Sequence, residues 1–478
     1  MTHLLRTDLG GSLPSGRGTP LLSLLLMSDV QVMDSVSPAR CEWVELLGND
    51  PRWQPLLHMH RPYEALTHWA FAAHIDKAAR DPTAPCSRRA YDLCLCLGDN
   101  IDNAQHNELD AFLAILDGGH AQLSAVGGVH DASGAAGPWP WPYWCPDARV
   151  DDRWKPRGYP AVPDFIERAG SALVSNGLGF PWACLPGNHD LMRQGTAPPG
   201  PAIERIATGS HKALHRPAGF DPADPQALFV EQPALFSAGS DRLVEALETR
   251  RALDQREWMA ALTARGAAGR GTAPTHAANG MDTVIDTEHV RVILLDTNHP
   301  AGDYQGSIGA AQLEWLDARL VEVDADPGRI AVLCSHHGSV SLTNTRGGDP
   351  RRLQADALVA VAHRHACVAT WLVGHRHLHQ IQSHPGPCGG FWEISTGSVI
   401  DWPSQTRSLE LMRHGNGTLE IATTLLDHAA PPGSLADLHH QLARRFAGDQ
   451  AVRMQGAPAD GDARLLLPAM HGREAWKP

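Results

Sequence analysis

The chain lacks any apolar run of about 18 or more residues, the length that a membrane-spanning helix requires. The apolar stretch 21–27 (LLSLLLM) is too short for that purpose. It follows a sparse basic region and runs into Ser28-Asp29 instead of a small-residue cleavage site, so it reads as a buried strand rather than a signal peptide. A cytoplasmic location with no membrane partner is the expectation. Basic charge is also in short supply: 40 Lys and Arg stand against 53 Asp and Glu, a formal net charge of -13. That balance argues against nucleic acid or an anionic membrane as a general partner, because both need a basic face. An anionic substrate would have to find positive charge locally, and bound metal ions can supply it. A disulfide framework is missing too. The nine cysteines are odd in number and irregularly spaced. Cys94, Cys96, Cys184 and Cys334 sit in apolar runs, as small buried thiols do, and Cys94-Leu95-Cys96 has no second pair to complete a metal site. Unpaired thiols fit a reducing compartment. No internal repeat is visible.

What is present suits one large domain with insertions, or two to three ordinary ones, in 478 residues. A hydrophobic fraction of 43% excludes a wholly disordered chain. Short apolar runs end abruptly in polar residues at Asp29, Asp99, Asn188, Asp296, His336 and His375. Continuous apolar runs of this length fit strands buried on both faces. Helical periodicity lies between them at 64–80, 107–117, 312–320 and 353–366, with Gly118 as a C-cap. Alternating strands and helices predict an α/β layered domain. It spans 1–430, with insertions at about 118–160, rich in Gly, Pro and Trp, and at 191–280, with a helical piece at 241–249. Loops this long are lids or insertions, and the Trp cluster either lines a cleft or seals its insertion onto the body. Runs at 391–403 and 419–425 read as strands closing a second sheet. Residues 431–478 form a C-terminal helix, over 435–446, and a tail. His439 and His440, like His363 and His365, read as solvated helix positions.

The chemistry lies at the strand ends: Asp29, Gly98-Asp99, Gly187-Asn188-His189-Asp190, His336-His337 and Gly374-His375-Arg376-His377. Each motif alone is an ordinary polar turn. Together, at the C-terminal ends of buried strands, they converge on one crevice. The adjoining glycines permit sharp turns and close backbone approach.

This series resembles the calcineurin-like metallophosphoesterase superfamily, whose motifs run Asp-x-His, Gly-Asp, Gly-Asn-His-Asp/Glu, His and Gly-His-x-His. The match is in order from Asp29 to His377. The segments LMSDVQVMDSVSPAR, HRPYEALT, LGDNIDNAQHNEL and STGSVIDWP look like a little-characterised actinobacterial branch. The resemblance implies a four-layer α-β-β-α sandwich of two mixed sheets and a dinuclear centre of Mn, Fe or Zn, divalent or trivalent. It implies that Asp99 bridges the ions, that Asp29 and His377 hold the first, and that Asn188, His336 and His375 hold the second. His336 takes the family's position, with His337 the alternative ligand or a substrate contact. Where the superfamily has its second histidine this chain has Gln31, either a ligand or a neighbour of one; its amide oxygen is a poorer donor to a transition metal than imidazole.

The implied reaction is hydrolysis of a phosphate monoester or diester on a small substrate, with attack by a water activated between the ions. His189 would stabilise the phosphoryl oxygen or protonate the leaving alkoxide. Asp190 either orients His189 or caps a helix. Asn100 and Asn103 either contact phosphate or serve the turn. The alternatives are a metal-binding scaffold on the same fold, or a nuclease.

Overall fold

The computed structural model describes residues 3–16, 18–134, 139–239, 241–266 and 281–468, so parts of both expected insertions and the end of the tail lie outside the described residues. In chain order the main strands are β1 (Leu4–Arg6), β2 (Thr19–Met27), β3 (Leu93–Cys96), β4 (Trp182–Cys184), β5 (Thr283–Asp286), β6 (Val290–Leu295) and β7 (Ile330–Ser335). They continue with β8 (Val368–Val373), β9 (Gln380–His384), β10 (Phe391–Ser395), β11 (Gln405–Arg413), β12 (Leu419–Asp427) and β13 (Ala463–Leu467). One sheet has the order β1-β13-β12-β11-β2-β3-β4, and the other β9-β10-β8-β7-β6-β5.

The apolar runs are buried on both faces, and period-2 alternation divides their side chains between two cores. Leu22, Leu24 and Leu26 of β2 pack between the sheets with Val292, Leu294, Val332 and Leu372. Leu25 and Met27 point outward onto Phe71, Ile75, Phe112 and Leu116 of the helices Thr67–Arg80 and His106–Asp117. On the far side, Ile293, Leu295 and Leu333 meet Leu316, Leu320 and Leu358 of the helices Ala310–Asp324 and Ala355–His363. The result is four layers, helix-sheet-sheet-helix. Each fully buried Leu contributes about 1.5–3 kcal/mol. The β2-β3-β4 and β6-β7-β8-β10 ladders are parallel, so their C-terminal loops meet at one edge.

Several local expectations shift. The stretch 64–80 opens with a 3-10 turn, Glu64–Leu66, before the α-helix. Residues 241–249 form no α-helix: Arg242–Leu243 is a short strand, a 3-10 turn begins at Glu248, and the Asp241 carboxylate accepts from the backbone of Leu214 and His215. The helix forms later, at Gln255–Ala264, where Asp254 and Glu257 make a reciprocal cap. The expected closing strands separate: β10 joins the second sheet and β12 the first. The boundary at 430 does not divide the sheet either, since β13 pairs with both β12 and β1. His439 and His365 are buried rather than solvated; His439 packs on Tyr63 at 4.9 Å, and His365 bonds Asp317 and Asp324. His363 is half-buried against Phe391. In the Trp-rich insertion Trp144 packs with Tyr63, Leu66, Leu435 and Leu442 of the body, and its indole N–H donates to Pro160 O at 3.0 Å. Cys94, Cys96, Cys184 and Cys334 are buried, as expected. Among the described residues no helix is long and apolar enough to cross a membrane.

Candidate metal centre

The loops leaving β2, β3, β7 and β8, with the short helix Asn188–Leu191 after β4, bring the strand-end motifs together. Backbone pairing continues past β2 and β3, from Asp29 N to Gly98 O (3.1 Å) and from Gln31 N to Asp99 O (2.8 Å). Asp29, Gln31, Asp99, His375 and His377 all have left-handed backbones, with φ of 50°, 40°, 52°, 69° and 52°. For non-glycine residues that costs on the order of 1–3 kcal/mol each and persists where surrounding contacts enforce it. Two glycines are required by close approach: a Cβ on Gly187 would overlap the Asp99 carboxylate, and one on Gly374 would overlap the Ser28 hydroxyl.

Asp29, Asp99 and His336 present ligand atoms within 4.8 Å of one another, as do His336, His337 and His375. His336 Nε2 lies 3.1 Å from Asp99 Oδ2, while its Nδ1 donates to Leu97 O at 2.8 Å. His377 Nε2 lies 3.2 Å from Asp29 Oδ1, and its Nδ1 is 2.6 Å from Asp401 Oδ2. The second Asp29 oxygen accepts from the Ser28 hydroxyl (2.6 Å) and His375 N–H (3.1 Å). Asn188 donates its amide N–H to Gly195 O at 2.9 Å, and its Oδ1 lies 3.2 Å from His375 Nδ1.

The protonation pattern follows from these neighbours. Burial opposes charge on His336, but Asp99 and Asp29 outweigh it and push its pKa up to about 9. For His377, Asp29 and Asp401 overcome burial and push it up to about 10. His375 is held well below the usual imidazole range by burial and by His337 and His336. Asp99 stays well below the usual carboxylate range because His336 and His189 outweigh its burial.

These residues fit bound metal. Among the described residues Gln31 Oε1 is buried without a hydrogen-bond partner, and Asp29 Oδ1 and His336 Nε2 have only the charged contacts to His377 and Asp99 given above, an arrangement that is costly for polar atoms unless a cation balances it. The donors are carboxylate oxygen, amide oxygen and imidazole nitrogen, a set suited to Mn, Fe or Zn. His337 is close enough to join a ligand group, yet both its nitrogens are engaged, Nδ1 with the Thr297 hydroxyl (2.9 Å) and Nε2 with Tyr304 O (3.0 Å). The nitrogen turned toward a site carboxylate belongs to His336. Gln31 lies beside the cluster, with Nε2 3.5 Å from Asp99 Oδ2.

His189 is buried next to this group. Its backbone N–H donates to Asp99 Oδ1 at 2.8 Å, and its Nδ1 sits 2.7 Å from Asp102 O and 3.4 Å from Asp102 Oδ1. Burial works to lower its pKa, but Asp99 and Asp102 outweigh it and hold it above the ordinary value. Asp102 is in turn paired with Arg40, which also bonds Glu64 (3.1 Å) and Glu42 (3.3 Å). Among the described residues Asp190 makes no hydrogen bond to the His189 ring. Its carboxylate accepts from the backbone of Gly187 (2.7 Å), Asn100 (3.0 Å) and Ile101 (3.1 Å), stapling two site loops together. Asn100 and Asn103 are fully buried: Asn100 donates to Leu185 O and Asp190, and Asn103 accepts from Gln194 N. Sequence reasoning missed Asp102 and Asp401. Each lies inside a quoted run (LGDNID and SVIDWP), but nothing local links it to a distant histidine.

No protein-family description matches the chain. No curated protein matches it either. Solved structures that resemble the chain include two distant ones. A dimetal phosphatase from Danio rerio superposes with a TM-score of 0.39 at 13% identity, covering 86% of this chain and 98% of its own. The sulfate thiohydrolase SoxB of Thermus thermophilus, in complex with glycerol, superposes with a TM-score of 0.34 at 12% identity, covering 91% of this chain and 62% of its own.

Proposed function

We propose that the chain is a metal-dependent phosphoric ester hydrolase with a dinuclear centre, acting on a small phosphorylated substrate. One observation carries the reading. In both His336 and His377 the Nδ1 already faces an acceptor, so each Nε2 meets a carboxylate oxygen at 3.1 and 3.2 Å. Two facing lone pairs repel unless a cation lies between them, a proton in the metal-free protein, whose place a metal ion would take.

In this reading Asp29, Gln31 and His377 would hold one ion, Asn188, His336 and His375 would hold the other, and Asp99 would serve both. The ions, when bound, supply Lewis-acid charge to phosphate oxygens and make water more acidic. The rest falls to side chains. His189 stands beside Asp99, and Asp102 keeps its Nδ1 bonded. Its Nε2 is thereby the atom that gives a proton to the leaving oxygen or bonds the phosphoryl oxygen, worth about 10²–10⁴-fold as a general acid. Asp190 binds no substrate here; it locks the loop bearing Asp99 onto the helix bearing His189. The motif order, the orphaned lone pairs and the donor chemistry support this assignment.

The test is an activity screen of purified protein with added Mn²⁺ against an aryl phosphate monoester, an aryl phosphodiester, a cyclic nucleotide and single-stranded DNA. Turnover of a small ester that His189→Asn abolishes is the expected result. Turnover of none of them with any metal would favour a scaffold, and cleavage of DNA alone a nuclease.

A further inference from the structure

We propose that Asp401 is a positioning residue for the ion held by Asp29, Gln31 and His377, clamped for that purpose by Arg61 and Tyr63. The proposal rests on the dinuclear reading above. Asp401 lies beyond the last motif of the series, in the loop before β11, whereas Arg61 and Tyr63 belong to the turn before the helix Thr67–Arg80. Both carboxylate oxygens are engaged. Oδ1 accepts from Arg61 Nε at 2.7 Å and from the Tyr63 hydroxyl; Oδ2 accepts from Arg61 Nη2 at 3.0 Å and from His377 Nδ1 at 2.6 Å. Arg61 is anchored as well, through Nη1 to His58 O at 3.2 Å. All three side chains are buried. A carboxylate held by a forked guanidinium cannot swing away from its histidine, and it cannot turn to become a ligand itself.

The consequence is specific to this half of the centre. A carboxylate on Nδ1 fixes the tautomer and ring plane of a ligating histidine and makes its Nε2 a stronger donor. On the other half, the Nδ1 of His336 meets only the neutral carbonyl of Leu97. The charged partner therefore stands where the amide of Gln31 is the weak donor. Asp401 compensates for Gln31 through His377, and Arg61 balances the added negative charge. The segments HRPYEALT and STGSVIDWP, far apart in sequence, meet at this clamp.

The experiment titrates Mn²⁺ calorimetrically into the metal-free full chain, as wild type, Asp401→Asn, Tyr63→Phe, and Asp401→Asn with Gln31→His. The wild type binds two ions. Asp401→Asn weakens one of them by about 10–100-fold and leaves the other unchanged. Tyr63→Phe, which removes one hydroxyl from the clamp and serves if Asp401→Asn does not fold, weakens the same site several-fold, and Gln31→His restores part of the loss. The His377 Nδ1–H proton resonance moves upfield in Asp401→Asn. Wild-type affinities in Asp401→Asn, or in Tyr63→Phe when only that variant folds, overturn the proposal. Failure of Gln31→His to restore binding overturns the compensation. A wild type that binds no Mn²⁺ overturns the dinuclear reading and this proposal with it.

Discussion

His336 Nε2 stands 3.1 Å from Asp99 Oδ2 while the other nitrogen of the same ring donates to the backbone of Leu97. That contact requires a proton or a cation between Nε2 and Oδ2, and the raised His336 pKa puts the proton on the ring. In the metal-free protein the charge is a proton, and the same logic applies to His377 beside Asp29.

Metal binding must therefore displace protons. With His336 and His377 pushed up to about 9 and 10, both are imidazolium at pH 7, and an ion entering the site releases them. Calorimetry in buffers of different ionisation enthalpy will show proton release at pH 7, and affinity will rise with pH up to about 9–10. The same raised pKa values contribute stability to the metal-free protein that is complete below about pH 6.5, the unfolded value. It is lost as pH rises through 9–10. A metal-free melting temperature that falls from pH 7 to pH 10, and falls less with Mn²⁺ present, is expected. Binding heat independent of buffer would contradict this.

His189→Asn is expected to lower kcat by roughly 10²–10⁴-fold with metal content unchanged. Asp102→Asn is expected to act differently. Asp102 helps to hold the His189 pKa up, and a general acid works only while protonated. Its loss moves the alkaline limb of the pH–rate profile to lower pH, and an unmoved limb would remove Asp102 from this role.

Gly187→Ala puts a methyl group into the Asp99 carboxylate. If Asp99 serves both ions, as proposed, metal analysis is expected to show loss of both, while circular dichroism stays close to the wild type. Retention of both ions would mean that the loop yields and that Asp99 is not held by this contact.

Acid should loosen the body through buried neutral histidines. Burial pushes His68 and His130 down to about 4, and burial with His428 pushes His439 down to about 3. Their contribution is complete above about pH 6.5, where the unfolded rings are also neutral, and is lost as pH falls through 4 and 3. Urea midpoints are expected to drop between pH 6.5 and 4. Among the described residues neither ring nitrogen of His439 has a hydrogen-bond partner, so His439→Leu should flatten that acid limb with little loss at pH 7.

Much of this arrangement was visible in the linear chain because it depends on local chemistry. The apolar runs of β2, β3, β6, β7 and β8 announce strands that are buried on both faces, and the polar residues that stop them mark the edge where Asp29, Asp99, His336 and His375 gather. Gly187 and Gly374 also betray close approach through composition alone. Helix caps were less legible, since the competing bonds of Asp241 reach residues 27 and 26 positions away.

The sequence by itself determined the strand pattern, the layered α/β class and the set of potential donors, since side-chain alternation and turn chemistry are properties of neighbouring residues. Only the tertiary structure decided which donors face the site. His336 and His337 are adjacent, yet long-range contacts to Leu97, Thr297 and Tyr304 leave only His336 of the two with a nitrogen turned toward a site carboxylate, that of Asp99. The same holds for Asp102 on His189 and Asp401 on His377, since hydrogen bonds that satisfy buried charge join segments the chain order keeps apart.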